Sequence, residues 1–264
     1  MARISVGIGG WVFPPWRGVF YPPGLAQARE LEHASRRVTA IEINGTFYGA
    51  QKPESFRRWH DATPEDFVFS VKAPRFATHR RDLAAAGASI DRFLGGGVLE
   101  LRDKLGPILW QFPPTTRFDE SDFAAFLALL PQAIDGRALR HVVEVRHGSF
   151  VDARFIALLR RHRVAAALVD SDKHPMFADV TADFVYARLR RTMASEPTGY
   201  PPATLDAWAE RFRLWSAGGE PGDLPRRHPE PAGPAPRDCF VYFISGAKEL
   251  NPAAAEALLQ RLSS

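Results

Sequence analysis

The chain has 264 residues, 45% of them hydrophobic, with a formal net charge of +4 and a sequence pI near 9.4. That length supports one large core or two small ones. The single cysteine, Cys239, excludes an internal disulfide and a cysteine-rich zinc site, and no apolar stretch is long enough to span a bilayer. The N-terminus enters an apolar run with no charged segment before it, so a cytoplasmic protein with no membrane partner is expected. Cys239 lies in DCFVYFISG and reads as a buried, inert thiol. Five of the 34 basic residues are lysines, so 34 − 5 = 29 are arginines. Arginine forks suit phosphate and carboxylate partners. Here they are scattered through helical patterns, and short runs such as THRRDL (78–83) and LRRHR (159–163) read as solvated faces.

Eight short apolar, β-branched or aromatic runs follow in chain order. They are ISVGIGGW (4–11), VTAIEINGTFY (38–48), FVFSVKAP (67–74), LGPILWQFPP (105–114), HVVEVRHGSF (141–150), VAAALVDS (164–171), DFVYARLR (183–190) and DCFVYFISG (238–246). Helical patterns lie between most of them: residues 24–37, 119–131, 152–163, 202–217 and 252–262. The second opens on acidic residues suited to a helix N-terminus, and the last two start with proline. Strands and helices alternating in this way predict a (β/α)8 TIM-like barrel spanning 1–264 as a single domain. Two units are irregular. Residues 172–182 leave little room for a helix between strands six and seven, and the Pro/Gly-rich residues 217–238 read as a flexible insertion before strand eight. An open doubly wound sheet is the rival fold, but GIGGW is not followed by a helix start and so lacks its phosphate-binding signature.

Both faces of a barrel strand are interior, and the active site forms at the strand C-terminal ends. Polar residues that alternate with aliphatic ones at those ends are therefore candidates. In AIEINGTFYG, Ile41 and Ile43 take one face and Glu42 and Asn44 the other. Lys72 shares a face with Ser70, and Glu144 and Arg146 oppose Val143 and Val145. Gln111, Asp170 and Arg188 end strands four, six and seven. Buried unpaired charge is costly, so these groups pair with one another or with a ligand. One outcome is an ion-pair network in which Lys72, Arg146 and Arg188 neutralise Glu42 and Glu144. The other is a catalytic site, and the two are compatible.

The motifs GWVFPPWRGVFYP, EINGTFYG, FVFSVKAPRFATH, ILWQFPP, VVEVRHGSF, VDS and DFVYARLR, in this order over roughly residues 4–260, resemble the family called domain of unknown function 72, the YecE-like proteins. The resemblance implies a TIM-barrel-like fold and supplies no reaction. It also implies a histidine and glycine just after the strand-seven arginine, where this chain has Arg190 and Arg191, and an Asn-Asp pair after strand eight, where it has Ser245 and Gly246. Chemistry that depends on those residues is altered here, and the mouth is more basic.

Several chemistries fit these residues. Glu42, Glu144 and Asp170 can divide acid and base roles. Lys72 can act as acid, base or imine former. Arg146 and Arg188 can clamp a phosphate or carboxylate. His79 and His147, just past strand ends, are proton shuttles or plain loop histidines. Trp11, Trp16 and Tyr21 in WVFPPWRGVFYPP, with Phe13 and Phe20, form either a stacking wall for a sugar or base or a cap that seals the barrel. Asn44, Tyr48 and Gln111 complete the binding set. Asp170, Asp172 and His174 in DSDKH offer a divalent-metal reading, against which stands a turn of solvated charges; no cofactor is expected. Three functions follow: a metal-independent acid–base enzyme acting on a small anionic or sugar-like molecule, a nucleic-acid-binding or endonuclease-like barrel, and a non-catalytic module for a metabolite or partner. The oligomeric state is open.

Overall fold

Parallel strands covered on both faces need near-continuous apolar runs, and the eight runs become eight parallel strands closed into a barrel in the computed structural model, which describes residues 2–263. The strands are β1 (Ile4–Gly9), β2 (Ala40–Ile43), β3 (Val68–Lys72), β4 (Leu105–Gln111), β5 (His141–Glu144), β6 (Ala165–Asp170), β7 (Phe184–Leu189) and β8 (Asp238–Phe243). Each pairs with its chain neighbours, and β8 closes on β1 through Ile4–Cys239 to Ile8–Phe243. Two packed layers result. Ala40, Leu109, Val142, Ala165, Ala167, Val169, Phe184, Tyr186, Phe240 and Tyr242 fill the barrel, while Ile41, Val71, Trp110, Leu168 and Val241 belong to the larger core under the helices.

The helices are α1 (Glu30–Ala34), α2 (Pro53–Asp61), α3 (Arg75–Thr78), α4 (Gly87–Leu94), α5 (Glu120–Ala128), α6 (Ala153–His162), α7 (Pro202–Ser216) and α8 (Asn251–Ser263). Asp119 caps α5 by accepting from the Asp122 amide at 2.9 Å, and Asp152 caps α6 through the Arg154 amide at 2.8 Å; both satisfy amides that a helix start leaves free. The helix expected over 24–37 shrinks to a 3-10 turn, Gln27–Arg29, followed by α1. There Arg17 reaches back to Gln27 and to the buried Glu30 and ties the β1–α1 loop to the helix. α2 and α4 arise where no helix was expected, because two short and largely polar segments bury only Phe56, Ile90 and Leu94.

No helix links β6 to β7, as the short spacing required. Residues 217–237 carry no helix or strand and lie at the N-terminal end of the barrel, away from the mouth. There Asp179 accepts from the amides of Arg227 and His228, and Arg160 donates to the Glu230 carbonyl. The interior of β1 is nearly without side chains: Ser5, Gly7 and Gly9 face inward. A Cβ on Gly7 would lie 1.7 Å from the Ala40 carbonyl oxygen, so only glycine permits this approach of β1 to β2. The same gap lets Tyr242 on β8 pass β1 and β2 and meet Ser70 on β3, hydroxyl to hydroxyl at 2.7 Å.

Among the described residues no helix is long and apolar enough to cross a membrane.

Candidate functional site

At the C-terminal end of the barrel the alternation places Glu42, Lys72, Gln111, Glu144 and Arg188 on the inner face. All five are buried. Arg188 stands between the two glutamates. Its Nε and Nη2 donate to Glu42, each at 3.0 Å, and its Nη1 to Glu144. Glu42 accepts a third bond from the Tyr186 hydroxyl at 2.6 Å. Glu144 also accepts from Gln111 at 2.9 Å and from Arg146 Nε at 2.8 Å. Every donor that a buried carboxylate needs is supplied, and the two acids are acceptors only.

Burial pushes the Glu144 carboxyl up, but Arg188, Arg146 and the bond from Gln111 outweigh it and hold the group well below the usual carboxylate range. Burial would lower the proton affinity of Arg188, yet Glu144 and Glu42 raise it overall. Burial, and then the neighbouring Glu42 charge, keep the Tyr186 hydroxyl protonated as a donor. Glu144 is thus placed as a counter-ion to Arg188 and Arg146. The expected clamp role of Arg188 is corrected for the same reason: all three of its nitrogens are engaged and the side chain is 3% exposed.

Lys72 differs. It is 6% exposed. Its ammonium lies 3.7 Å from the centroid of the Phe47 ring and takes no hydrogen bond or ion pair among the described residues. Burial lowers its pKa, as do Arg188 and Arg146, against the pull of Glu42 and Glu144; the balance is about 8. The other buried lysine, Lys104, gives its ammonium to the carbonyls of His60 and Thr63 and to the Thr63 hydroxyl.

The remaining expected residues are distributed unevenly. Arg146 lends only its Nε to Glu144, and its two terminal nitrogens stay free among the described residues. Asn44 turns its amide onto the Glu42 carbonyl at 3.2 Å. His79 is exposed and sits edge-on to Phe47; desolvation and then the charge of Lys72 hold its pKa below the ordinary value. Tyr48 is 70% exposed on the rim. His147 accepts from the Ser149 amide at 3.0 Å and caps the 3-10 turn Gly148–Phe150, a structural role.

Asp170 is a correction. It shares parity with Ala166 and Leu168 and so leaves the inner face, meeting the Tyr200 hydroxyl at 3.2 Å and Arg191 at 3.5 Å. Burial raises its pKa over the opposing pull of Arg191. Asp172 also pairs with Arg191, so the DSDKH segment does not converge, and among the described residues no group of three His, Cys, Asp or Glu side chains is placed to hold a metal ion.

The aromatic loop is likewise a cap. Trp16 is 1% and Tyr21 0% exposed; Trp16 donates to the Lys248 carbonyl at 3.0 Å and Tyr21 to the Trp11 carbonyl at 2.5 Å. Trp11 packs edge-on against Trp59 and Phe69 in the outer layer. Trp16 and Tyr21 present no free ring face at the mouth, while Trp11 is partly exposed.

Sequence reasoning missed Tyr186 and Phe47 as site residues. Tyr186 could have been found, since it lies two residues before Arg188 on the same face. Phe47 lay within the quoted EINGTFYG motif. His174, expected as a possible metal ligand, and Arg190, expected as a departure from the family pattern, sit on loops, where no periodicity assigns a direction.

Comparison with known proteins gives a consistent picture of the fold. The model of the family described as "Protein of unknown function DUF72" matches residues 5–264. The UPF0759 protein YecE of Escherichia coli (strain K12) is 30% identical over 150 residues, 56% of this chain and 50% of that protein. The UPF0759 protein YunF of Bacillus subtilis (strain 168) is 30% identical over 116 residues, 42% of this chain and 40% of that protein. The chain thus spans half or less of these relatives' length. A crystal structure of a DUF72 family protein from Thermotoga maritima MSB8 superposes with a TM-score of 0.73 at 22% identity, over 99% of this chain and 100% of the other. One from Enterococcus faecalis V583 gives 0.69 at 17% identity, over 100% and 97%.

Proposed function

The chain belongs to the DUF72 family of proteins of unknown function, and from that premise we propose that the barrel mouth is the active site of a metal-independent enzyme in which Lys72 performs acid–base chemistry on a small anionic or sugar-like molecule. The observation that carries this reading is the contrast between two buried lysines: Lys104 is satisfied by three acceptors, and Lys72 has no hydrogen-bond acceptor among the described residues. A lysine with a buried stem, its ammonium set over the Phe47 ring and without a hydrogen bond among the described residues, with a pKa near 8, exchanges a proton close to neutral pH. In its neutral form Lys72 takes a proton from a substrate hydroxyl or activated carbon; as the ammonium it returns one. The Glu42–Arg188–Glu144 triad, locked by its own pairs, supplies a fixed electrostatic floor that need not reorganise during reaction.

The test uses glyoxylate, a small anionic aldehyde, with sodium borohydride. A neutral amine adds to the aldehyde carbon, loses water to give an imine, and accepts hydride to become a stable secondary amine. Peptide mapping near neutral pH is expected to find the label concentrated on Lys72 among Lys52, Lys72, Lys104, Lys173 and Lys248. Label spread over exposed lysines with Lys72 unmodified overturns the reading.

A second reading, nucleic acid at the mouth, is favoured by Arg75, Arg80, Arg81 and Arg117. None of their guanidiniums takes a hydrogen bond or ion pair among the described residues, and three of them line a cleft of about 680 Å³ beside His79. Phe76, 62% exposed, and Tyr48 offer ring faces at the same end. Fluorescence anisotropy with a labelled single-stranded oligonucleotide tests it: binding that weakens steeply with salt supports it, and no binding at low salt removes it.

A further inference from the structure

Arg190 and His174 are the mouth's unexplained groups. Arg190 follows β7 and is only half-buried as a residue, yet its Nε and Nη1 are both shielded from solvent and lack an acceptor. Its one side-chain bond is from Nη2 to the Ser245 hydroxyl at 3.3 Å. His174, on the β6–β7 loop, has a buried Nδ1 with no partner. Shielded polar nitrogens without partners are costly and uncommon. They are also held in place. Ser245 and Gly246 both have left-handed backbone, at φ 68° and 61°. The Ser245 carbonyl accepts from the Thr192 hydroxyl at 2.9 Å, and a Cβ on Gly246 would sit 2.4 Å from that same hydroxyl. The β7 and β8 loops are therefore pressed together and fix the guanidinium.

Charge points the same way. Arg146, Arg188, Glu42 and Glu144 each act on both Lys72 and Arg190. With Lys72 protonated, four cations against two carboxylates leave 4 − 2 = +2, and with Lys72 neutral three leave 3 − 2 = +1. Arg146 and Arg190 both also repel a proton from His174, after burial the main causes of its lowered pKa. The excess is positive in either state and suits an anionic group, and the forked guanidiniums suit the several oxygens of a phosphoryl group.

We propose that Arg190, His174 and Ser245, with the free nitrogens of Arg146, form the subsite that holds the phosphoryl group of the substrate. In the closed strand order, β7 stands opposite β3, so the subsite faces Lys72 across the mouth and leaves the reacting part of a short phosphorylated molecule toward the amine. The inference rests on the reading of the mouth as an active site and names its substrate class.

The probe is inorganic phosphate, titrated calorimetrically into the whole chain at low ionic strength, with acetate as the comparison. Wild type is expected to bind phosphate at least tenfold more tightly than acetate. Arg190→Gln is expected to lose at least about tenfold in phosphate affinity, Arg190→Lys to recover part of it, and Arg161→Gln, which removes an exposed charge on α6, to bind within threefold of wild type. Arg190→Gln removes one side-chain bond, and its circular dichroism is expected to match wild type; Arg190→Lys and His174→Asn give independent measures should it not. Wild-type affinity in both Arg190→Gln and His174→Asn, equal binding of acetate, or no phosphate binding overturns the subsite. Because glyoxylate labelling of Lys72 is read without phosphate, failure here leaves the reading of Lys72 standing or falling by its own experiment.

Discussion

Glu144→Gln tests whether the triad is held as its geometry implies. The substitution keeps the shape of the side chain and removes its charge, leaving Arg188 Nη1 and Arg146 Nε facing a neutral amide in a site where Glu144 is 0% exposed. Breaking a buried ion pair by neutralising one partner costs about 3–5 kcal/mol. At about 2–3 °C per kcal/mol in a chain of this size, the melting temperature at pH 7 is expected to fall by about 6–15 °C. The pH dependence carries the sign. Glu144 has a folded-state pKa below its unfolded value, so its contribution is fully present above the ordinary glutamate pKa of about 4.3 and is lost as pH falls toward the folded value. Differential scanning calorimetry of both proteins from pH 7 downward is therefore expected to show the gap constant to about pH 5 and narrowing below it. A melting temperature unchanged or raised at pH 7 refutes the reasoning, because desolvation of the carboxylate would then outweigh its pairs.

Lys72→Met is expected to raise the melting temperature, since an ammonium disfavoured by desolvation and by Arg188 gives way to an apolar chain of similar length that still packs on Phe47. The folded pKa near 8 lies below the ordinary 10.5, a difference worth about 3 kcal/mol. Wild-type stability should climb with pH between those values, and the gain of the variant should be largest below pH 8 and vanish above 10.5 in urea titrations. Tyr186→Phe removes one of the three bonds to Glu42 and is expected to cost about 1–3 kcal/mol by the same titration, with the fold intact. Gly7→Ala places a methyl group 1.7 Å from the Ala40 carbonyl oxygen and is expected to cost about 3 kcal/mol or more; a melting temperature within a degree of wild type would show that β1 and β2 can separate freely.

What the sequence determined by itself was the barrel and most of its inner polar residues. In β2, β3, β5 and β7 a charged or polar residue alternates with aliphatic neighbours, and a period of two allows only two assignments, of which one places charge under the helices. Glu42, Lys72, Glu144 and Arg188 follow from that choice. β6 carries no such contrast: Ala165, Ala167 and Val169 on one face and Ala166 and Leu168 on the other are all apolar, so only pairing with β5 and β7 shows that Asp170 faces outward. Tertiary structure alone decided which charges pair. Arg188 is consumed by two glutamates and Lys72 by none, a result of side-chain reach across the barrel that spacing along the chain does not encode. It also decided that Trp16 and Tyr21 seal the fold, because an aromatic loop folds over whichever surface its ends allow. The shielded nitrogens of Arg190 and His174 arise only where three loops meet, and loop conformation has no period to read.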